Sequence, residues 1–251
     1  MRYLNPLFCL YSLSIKALSG IYIPRAFRYF VYKAFGSLFL GMTEKDLKEC
    51  SLDLREFKNI SEFFSRPLQP IFRPIGNNKI VSPCDGTVLE EGRVSNGTII
   101  SVKGTNYSVE ELLGDGAPRS EFKNGRYVNI YLSPRNYHRF HIPCEGTLTY
   151  IQHIPGCCLP VNSLGRKEEK LYALNERVIV QISNKEFNVC LAIVGAAAVR
   201  GIKIFKKTGD AVHKGDVLGM FELGSSIVLL ADVNIGDIKV DTEVRACSNI
   251  S

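Results

Sequence analysis

Several residue types and patterns are scarce or missing in this sequence of 251 residues. It has no tryptophan, only four histidines, and eight cysteines that form no CxxC pair. It also lacks low-complexity tracts and internal repeats, which argues against disordered, solenoid and propeller proteins. A chain of this length can build a core without disulfide bonds, so we expect reduced thiols in a protein that faces the cytosol.

Acidic residues are absent from the first 43 positions. The five basic residues there carry +5 of the net charge of +6, which leaves +1 for the rest of the chain; they are Arg2, Lys16, Arg25, Arg28 and Lys33. The segment contains no run of about 20 apolar residues, which is the length needed to span a bilayer. No small-residue cleavage site follows the apolar region, which argues against a secretory signal. A mitochondrial presequence remains an alternative, because such presequences also lack acidic residues.

An apolar stripe at helical spacing lies within this basic segment. Its members are Phe27, Phe30, Val31, Ala34, Phe35, Leu38 and Phe39. One interpretation is an interfacial helix that is attracted to anionic lipid, and the other is a helix that packs on the protein's own core. The first interpretation predicts peripheral binding at the cytoplasmic side of the cell membrane, with the mitochondrial inner membrane as the alternative.

The remaining pattern predicts an α+β fold, in which N-terminal amphipathic helices precede a β-rich, largely antiparallel catalytic domain. Capping signals at Thr43–Asp46, Asn59–Glu62 and Ser108–Glu111 predict three helix starts. After Ile80 the pattern predicts strands: Val128, Ile130 and Leu132 alternate so that they share one face, and the short apolar runs 178–182, 189–194 and 227–230 are typical of buried strands. We place the boundary between a helical membrane-associating segment, 1–56, and the β-rich domain, 57–251.

A Gly-Ser-Ser step separates two apolar runs near the C-terminus. Ser225 and Ser226 are poor core fillers, because a buried hydroxyl without a hydrogen-bond partner costs roughly 1–3 kcal/mol. Gly224 lacks a β-carbon, so the Ser225 hydroxyl could approach the carbonyl of residue 224 and attack its own chain. The plainer interpretation is a glycine bulge in a strand.

Three further residues could carry chemistry. His138 and His141 are spaced so that they lie close together but point differently, which suits two proton-transfer roles, although ordinary loop histidines fit as well. Asp85 stands in an Asp-Gly step, where it either marks a turn or orients a histidine that activates Ser225. We predict no metal site, because the nearby histidines and cysteines match no standard zinc spacing.

Four separated segments carry a family resemblance. They are Ser82-Pro83-Cys84-Asp85-Gly86; Leu132 to His141, which reads LSPRNYHRFH; Pro160-Val161-Asn162 with Asn175-Glu176-Arg177; and Lys214-Gly215-Asp216 through Gly224-Ser225-Ser226. Together with Glu62 to Leu68, these segments resemble the pyruvoyl-dependent phosphatidylserine decarboxylase proenzymes, in the order typical of that family. The resemblance runs from about Phe57 to Ala231. Ser226 replaces the usual threonine and Asn136 an aspartate that is common there.

The resemblance implies a two-stage life for the chain. Asp85, His141 and Ser225 would form a charge relay that cleaves the bond between Gly224 and Ser225, giving a β chain, 1–224, and an α chain, 225–251, which stay together as a heterodimer. Ser225 would become a covalent pyruvoyl group, so that no external cofactor is needed. This group would form a Schiff base with membrane phosphatidylserine, and His138 would supply a proton on the way to phosphatidylethanolamine and carbon dioxide.

Other functions are weighed beside this one. The glycine and aspartate pattern of residues 209–216 also resembles the hairpin of lipoyl and biotinyl carrier domains, but the Gly-Ser-Ser step offers no lysine. An unprocessed lipid-binding module and a decarboxylase of a related aminophospholipid are the remaining alternatives. We predict no nucleic-acid partner, and the sequence leaves a homo-oligomer open.

Overall fold

The computed structural model describes residues 14, 17–100, 106–118, 120–157, 159, 170–196, 201–222, 225–236 and 238–250. Three features named above therefore lie outside the described residues: the basic residues Arg2 and Lys16, the Pro160-Val161-Asn162 motif, and Gly224.

Short helices and helical turns occupy the first part of the described chain. They are α1 (Arg25–Ala34), a π-helical turn (Phe35–Phe39), α2 (Glu44–Lys48), a 3-10 turn (Leu54–Glu56), α3 (Ile60–Phe64) and a 3-10 turn (Pro70–Phe72). Thr43 and Asp46 form a reciprocal capping box at the start of α2, and the Asn59 side chain accepts from the Glu62 N–H at the start of α3. Both predicted helix starts are confirmed.

The N-terminal helices build a hydrophobic cluster of their own. Tyr32 of α1 lies at its centre, stacked on Phe63 of α3 at 5.0 Å between ring centroids, with Met42, Cys50 and Phe57 around them. The apolar stripe splits between two environments. Val31 and Phe35 pack against this cluster, whereas four other members are 62% to 79% exposed: Phe27, Phe30, Leu38 and Phe39. Across the described residues, no helix is both long and apolar enough to cross a bilayer.

The rest of the described chain is rich in strands. The strands are β1 (Gly86–Arg93), β2 (Thr98–Ile100), β3 (Asn106–Ser108), β4 (Arg126–Leu132), β5 (Arg139–His141), β6 (Gly146–Ile154), β7 (Arg177–Ser183), β8 (Asn188–Gly195), β9 (Ile202–Ile204), β10 (Ala211–Val212), β11 (Val217–Phe221), β12 (Ser225–Ala231) and β13 (Glu243–Val244). Three short helical elements accompany them: α4 (Val109–Leu113), a 3-10 turn (Ser120–Phe122) and α5 (Leu171–Leu174).

The strands form one large sheet and two small ones. The eight-stranded sheet has the order β10-β6-β7-β8-β12-β4-β1-β13, the three-stranded sheet the order β5-β11-β9, and β2 pairs with β3. All of these pairings are antiparallel, which confirms the predicted fold class. The apolar runs at 178–182, 189–194 and 227–230 lie in β7, β8 and β12, which are adjacent in the sheet. Every residue of these three runs is buried.

The large sheet is covered on both faces, which explains why its central strands are apolar throughout rather than alternating. One face packs against the three-stranded sheet, and this core includes Phe140, Leu218 and Phe221 from that sheet. The opposite face packs against α4, α5 and the β2–β3 pair through Leu112, Tyr172 and their neighbours. Along each strand, consecutive side chains therefore enter different cores.

Candidate active site

Ser225 is the first residue of β12 and is held on both sides by the large sheet. Its Cα is registered against Leu132 of β4 and Gly195 of β8. Its side chain is fully buried, and its hydroxyl has no hydrogen-bond partner among the described residues. An unpartnered buried hydroxyl is costly, roughly 1–3 kcal/mol, and contributes nothing to packing that alanine would not supply. β12 pairs without a register shift from Ser225 onward, while the position of the alternative glycine bulge, Gly224, lies outside the described residues.

Ser226 shares this burial and also lacks a partner, but its side chain points the other way. Side chains alternate along a strand, so Ser225 shares a face with Ile227 and Leu229, which belong to the core beneath the three-stranded sheet. Ser226 shares a face with Val228 and Leu230, which belong to the opposite core. Only Ser225 therefore faces the layer that carries His138 and His141.

His138 lies just before β5, and its main chain is hydrogen bonded to β11. The Phe221 N–H donates to the His138 carbonyl at 2.9 Å, and only three residues separate Phe221 from Ser225. The His138 ring is fully buried and lies against Phe64, with 4.0 Å between ring centroids. Its Nδ1 is 2.8 Å from the Asn136 carbonyl oxygen, whereas no described residue forms a hydrogen bond with its Nε2.

His141, at the end of β5, is also buried and is held at both ring nitrogens. Its Nδ1 is 2.8 Å from the Gly215 carbonyl oxygen, and its Nε2 is 3.1 Å from the Tyr137 hydroxyl. Gly215 has φ +90, and a β-carbon there would lie 2.7 Å from the Ile75 side chain. Glycine is therefore required at the turn that presents this carbonyl to the histidine.

Both histidines are neutral bases in this arrangement. A carbonyl oxygen can only accept a hydrogen bond, so each Nδ1 carries the proton and each Nε2 presents a lone pair. Burial, with a smaller contribution from the Arg66 charge, lowers the pKa of His138 from 6.5 to about 3. Burial also lowers the pKa of His141, although the nearby Asp85 carboxylate acts in the opposite direction.

Asp85 lies immediately before β1 and is buried in a network that the sequence did not predict. Both of its carboxylate oxygens accept from the Arg73 guanidinium, at 2.8 and 2.5 Å, and the Ala246 N–H donates to it at 2.8 Å. Arg73 also lies over the Tyr137 ring, 5.7 Å from its centroid. Asp85 and His141 are thus linked indirectly: the Tyr137 hydroxyl contacts His141, the Tyr137 ring contacts Arg73, and Arg73 binds Asp85.

The structure places Asp85 near His141 but does not join the predicted residues into a relay. Among the described residues, Asp85 makes no hydrogen bond to His141, whose Nδ1 is instead held by Gly215, and Ser225 makes none to either. The roles of Arg73, Tyr137 and Gly215 were missed. Tyr137 and Gly215 stand inside the quoted motifs, which was a usable signal, but nothing in the sequence pairs Arg73 with Asp85.

A cavity of about 480 Å³ lies beside this network. Asp85, Arg73 and Tyr137 contribute to its lining, together with Arg66, Asn136 and residues of the C-terminal segment. The cavity is polar and open to solvent on one side, so a charged headgroup could enter it. A covalent group derived from Ser225 also fits what is present, because the buried hydroxyl of Ser225 has no structural partner to lose.

Comparison with known proteins agrees with this geometry. The sequence model described as phosphatidylserine decarboxylase matches residues 60–250. A phosphatidylserine decarboxylase proenzyme of Brevibacillus brevis is 39% identical over 201 residues, which are 71% of this chain and 72% of the relative. The corresponding proenzymes of Anaeromyxobacter sp. and Myxococcus xanthus are 37% and 35% identical, over 74% and 80% of this chain and 73% and 78% of theirs. The chain belongs to the phosphatidylserine decarboxylase family.

Proposed function

We propose that this chain is a self-processing decarboxylase that converts phosphatidylserine to phosphatidylethanolamine and carbon dioxide. The observation that carries the proposal is the buried, unpartnered hydroxyl of Ser225, which faces the histidine layer at the start of a central strand. Family membership supplies the reaction class.

In the first stage, Ser225 Oγ attacks the carbonyl carbon of Gly224 and an ester replaces the peptide bond. Elimination then breaks the Cβ–O bond of Ser225, and hydrolysis releases ammonia and leaves a ketone on residue 225. Serine needs a base for this attack, and neutral His141, oriented with help from Asp85, is our candidate. The Tyr137 hydroxyl lies 3.1 Å from His141 Nε2, the nitrogen that carries the lone pair. Ser225 must therefore either displace Tyr137 from that nitrogen or pass its proton through the Tyr137 hydroxyl.

In the second stage, the pyruvoyl group supplies an electron-accepting carbonyl next to the bound amine of the lipid. His138 is the candidate proton donor to the α-carbon. Because its Nε2 carries a lone pair in the buried neutral ring, His138 must accept a proton before it can donate one. The products of cleavage, 1–224 and 225–251, would work as one heterodimer.

We further propose peripheral binding to a membrane through α1 and the π-helical turn. A diacyl lipid leaves the bilayer at a cost of about 0.8 kcal/mol per methylene, so the enzyme must come to the surface. The exposed Phe27, Phe30, Leu38 and Phe39 provide apolar contact. Arg25 and Lys33 lie on the same helix, where they form surface ion pairs with Glu56 and Glu44. The domain boundary after residue 56 also remains a proposal.

The two adjacent serines offer a matched test. Ser225→Ala should leave one intact 28.0 kDa chain on denaturing electrophoresis and release no carbon dioxide from phosphatidylserine vesicles. Ser226→Ala, which removes an equally buried hydroxyl from the opposite face, should still yield two fragments. Cleavage in Ser225→Ala would refute self-processing at this site, and an intact, inactive wild-type chain would favour an unprocessed lipid-binding module.

A further inference from the structure

The cavity beside Asp85 contains both charge signs, and most of its charges are already paired. Arg73 binds Asp85 through two nitrogens and also donates to Glu49 at 2.9 Å. Arg245 lies 3.5 Å from the other oxygen of Glu49. These four side chains neutralise one another.

The remaining carboxylates of the lining are engaged as well. Glu243 forms an ion pair with Arg135. Asp46 accepts from both the N–H and the hydroxyl of Thr43, as the helix cap of α2. Glu243 is therefore neutralised, whereas Asp46 keeps its negative charge and acts on Arg66 from a distance without forming a described ion pair with it.

Among the described residues that line the cavity, Arg66 is the cation that forms no ion pair. It lines the same cavity, is only 2% exposed, and donates to two carbonyl oxygens, of Phe64 at 3.4 Å and of Arg135 at 3.2 Å. Within the described part of the chain, its Nε has no hydrogen-bond partner and no carboxylate forms an ion pair with it. Burying a guanidinium without an anion is costly, so a fold that keeps one at a cavity gains by receiving an anion there.

The position of Arg66 connects this cavity to the histidine layer. Phe64, two residues earlier, places its ring against His138, and the Ser65 carbonyl accepts from Arg139 Nε of β5 at 3.0 Å. The Arg66 charge is close enough to contribute to the lowered pKa of His138. An anion bound by Arg66 would therefore lie next to the residue that we assign to proton donation.

We propose that Arg66 binds the phosphodiester of the lipid headgroup and so positions the serine amine for reaction. The inference rests on the proposed function. A guanidinium matches phosphate oxygens with two parallel hydrogen bonds, and the phosphodiester of this headgroup is only a few bonds from the amine. The substrate carboxylate is a poorer occupant, because a strong ion pair with the group that departs would stabilise the ground state and oppose decarboxylation.

The test compares processed wild type with Arg66→Gln and Arg66→Lys on short-chain phosphatidylserine. Loss of a charge-assisted hydrogen bond to phosphate is worth about 1.5–3 kcal/mol, so KM should rise about tenfold or more in Arg66→Gln, with a smaller change in kcat. The KM of Arg66→Lys should lie between the KM values of wild type and Arg66→Gln. Arg245→Gln is the matched control, since it removes a charge from the same cavity but from a paired, half-exposed arginine, and its KM should stay within about twofold.

Competition experiments separate the lipid headgroup from free phosphate as the source of the anion. Glycerophosphoserine should inhibit wild type far more strongly than serine, competitively with the lipid, and should lose this advantage in Arg66→Gln. Equal inhibition of wild type by the two compounds overturns the proposal even if the variants fail to fold. Inhibition by inorganic phosphate that does not compete with the lipid would assign the cavity to free phosphate and would also overturn it.

Two further outcomes bear on the result. An unchanged KM in Arg66→Gln, or an equal rise in Arg245→Gln, contradicts a phosphate contact. Fragment formation is scored for every variant on denaturing gels, because headgroup binding plays no part in chain cleavage. Wild-type protein that neither cleaves nor releases carbon dioxide would instead refute the proposed function.

Discussion

At the scale of single residues, burial decides the protonation of the site. His138 and His141 both have lowered pKa values because the charged imidazolium would lose its hydration in the core. Each ring donates from Nδ1 to a carbonyl oxygen and keeps its Nε2 lone pair. Both rings are therefore unprotonated at neutral pH, which is the form that a base needs to activate a serine hydroxyl.

The two histidines should separate the two stages of the reaction. His141→Ala removes the proposed base, so we expect an uncleaved chain. His138→Ala should still cleave but should lose about a hundredfold or more in decarboxylation, the range of a general acid–base contribution. Fragment formation on denaturing gels and carbon dioxide release measure the two stages separately. Normal turnover by cleaved His138→Ala would remove His138 from the mechanism.

The lowered pKa of His141 predicts how cleavage depends on pH. A base whose pKa in the folded state lies below its ordinary value of 6.5 stays neutral at pH 6.5, and it is lost only as the pH falls through the lower value. The rate of fragment formation, followed after cell-free synthesis, should therefore be flat from mildly alkaline pH down to 6.5. A midpoint at or above 6.5 would show that the base is an exposed histidine or another group.

The chemistry-bearing residues could be found from the sequence, but their partners could not. Ser225, His138, His141 and Asp85 stand in short motifs with unusual residue choices. Arg73 binds a carboxylate 12 positions away, and the Gly215 carbonyl holds a ring 74 positions earlier. Contacts of this kind depend on how elements pack, and one sequence carries no local signal for them.

At the scale of elements, α1 shows how one helix serves two environments. The sequence left open whether its apolar stripe meets a membrane or the protein core. The structure gives each face a different role, because Tyr32, Val31 and Phe35 pack inward, whereas Phe27 and Phe30 are exposed. The inner side chains connect α1 to α3, whose Phe64 lies against His138. This helix pair links the exposed apolar surface to the site.

Membrane binding should depend on the exposed face of α1. A double variant, Phe27→Ser with Phe30→Ser, should bind anionic vesicles about tenfold or more weakly, because burying each phenylalanine contributes about 1.5–3 kcal/mol. Phe205→Ser, at a half-exposed phenylalanine that follows β9, serves as the control. Flotation with phosphatidylserine-containing vesicles measures the affinity. Equal losses in both variants, or none in either, would contradict a role for α1.

Local elements were predictable where local interactions determine them. The three capping signals formed helix starts because a cap joins residues only three positions apart, and Val128, Ile130 and Leu132 share one core as their alternation predicted. The π-helical turn and the arrangement of two sheets around one core have no such local signature. They result from how the helices and sheets pack.

At the scale of the whole molecule, the proposed cleavage point lies at the start of a central strand. β12 pairs along seven residues with β4 on one side and β8 on the other. Beyond it, the Ala246 N–H donates to Asp85, and β13 pairs with β1. The segment after residue 224 is thus built into the core and completes the site.

This topology predicts that cleavage does not separate the fragments. Both should elute together from a sizing column under native conditions and part only in denaturant, because removing β12 would expose Ile227, Val228, Leu229 and Leu230 and break two ladders. Urea titration followed by sizing measures the transition. Release of the small fragment without denaturant would contradict the placement of β12.

Intact mass spectrometry of the purified wild-type protein addresses the reacting serine most directly. The account predicts a small fragment that begins at residue 225 and is lighter by one ammonia than the same peptide with an N-terminal serine, the mass of a pyruvoyl terminus. A single uncut chain, or a fragment that starts with unmodified serine, would contradict it.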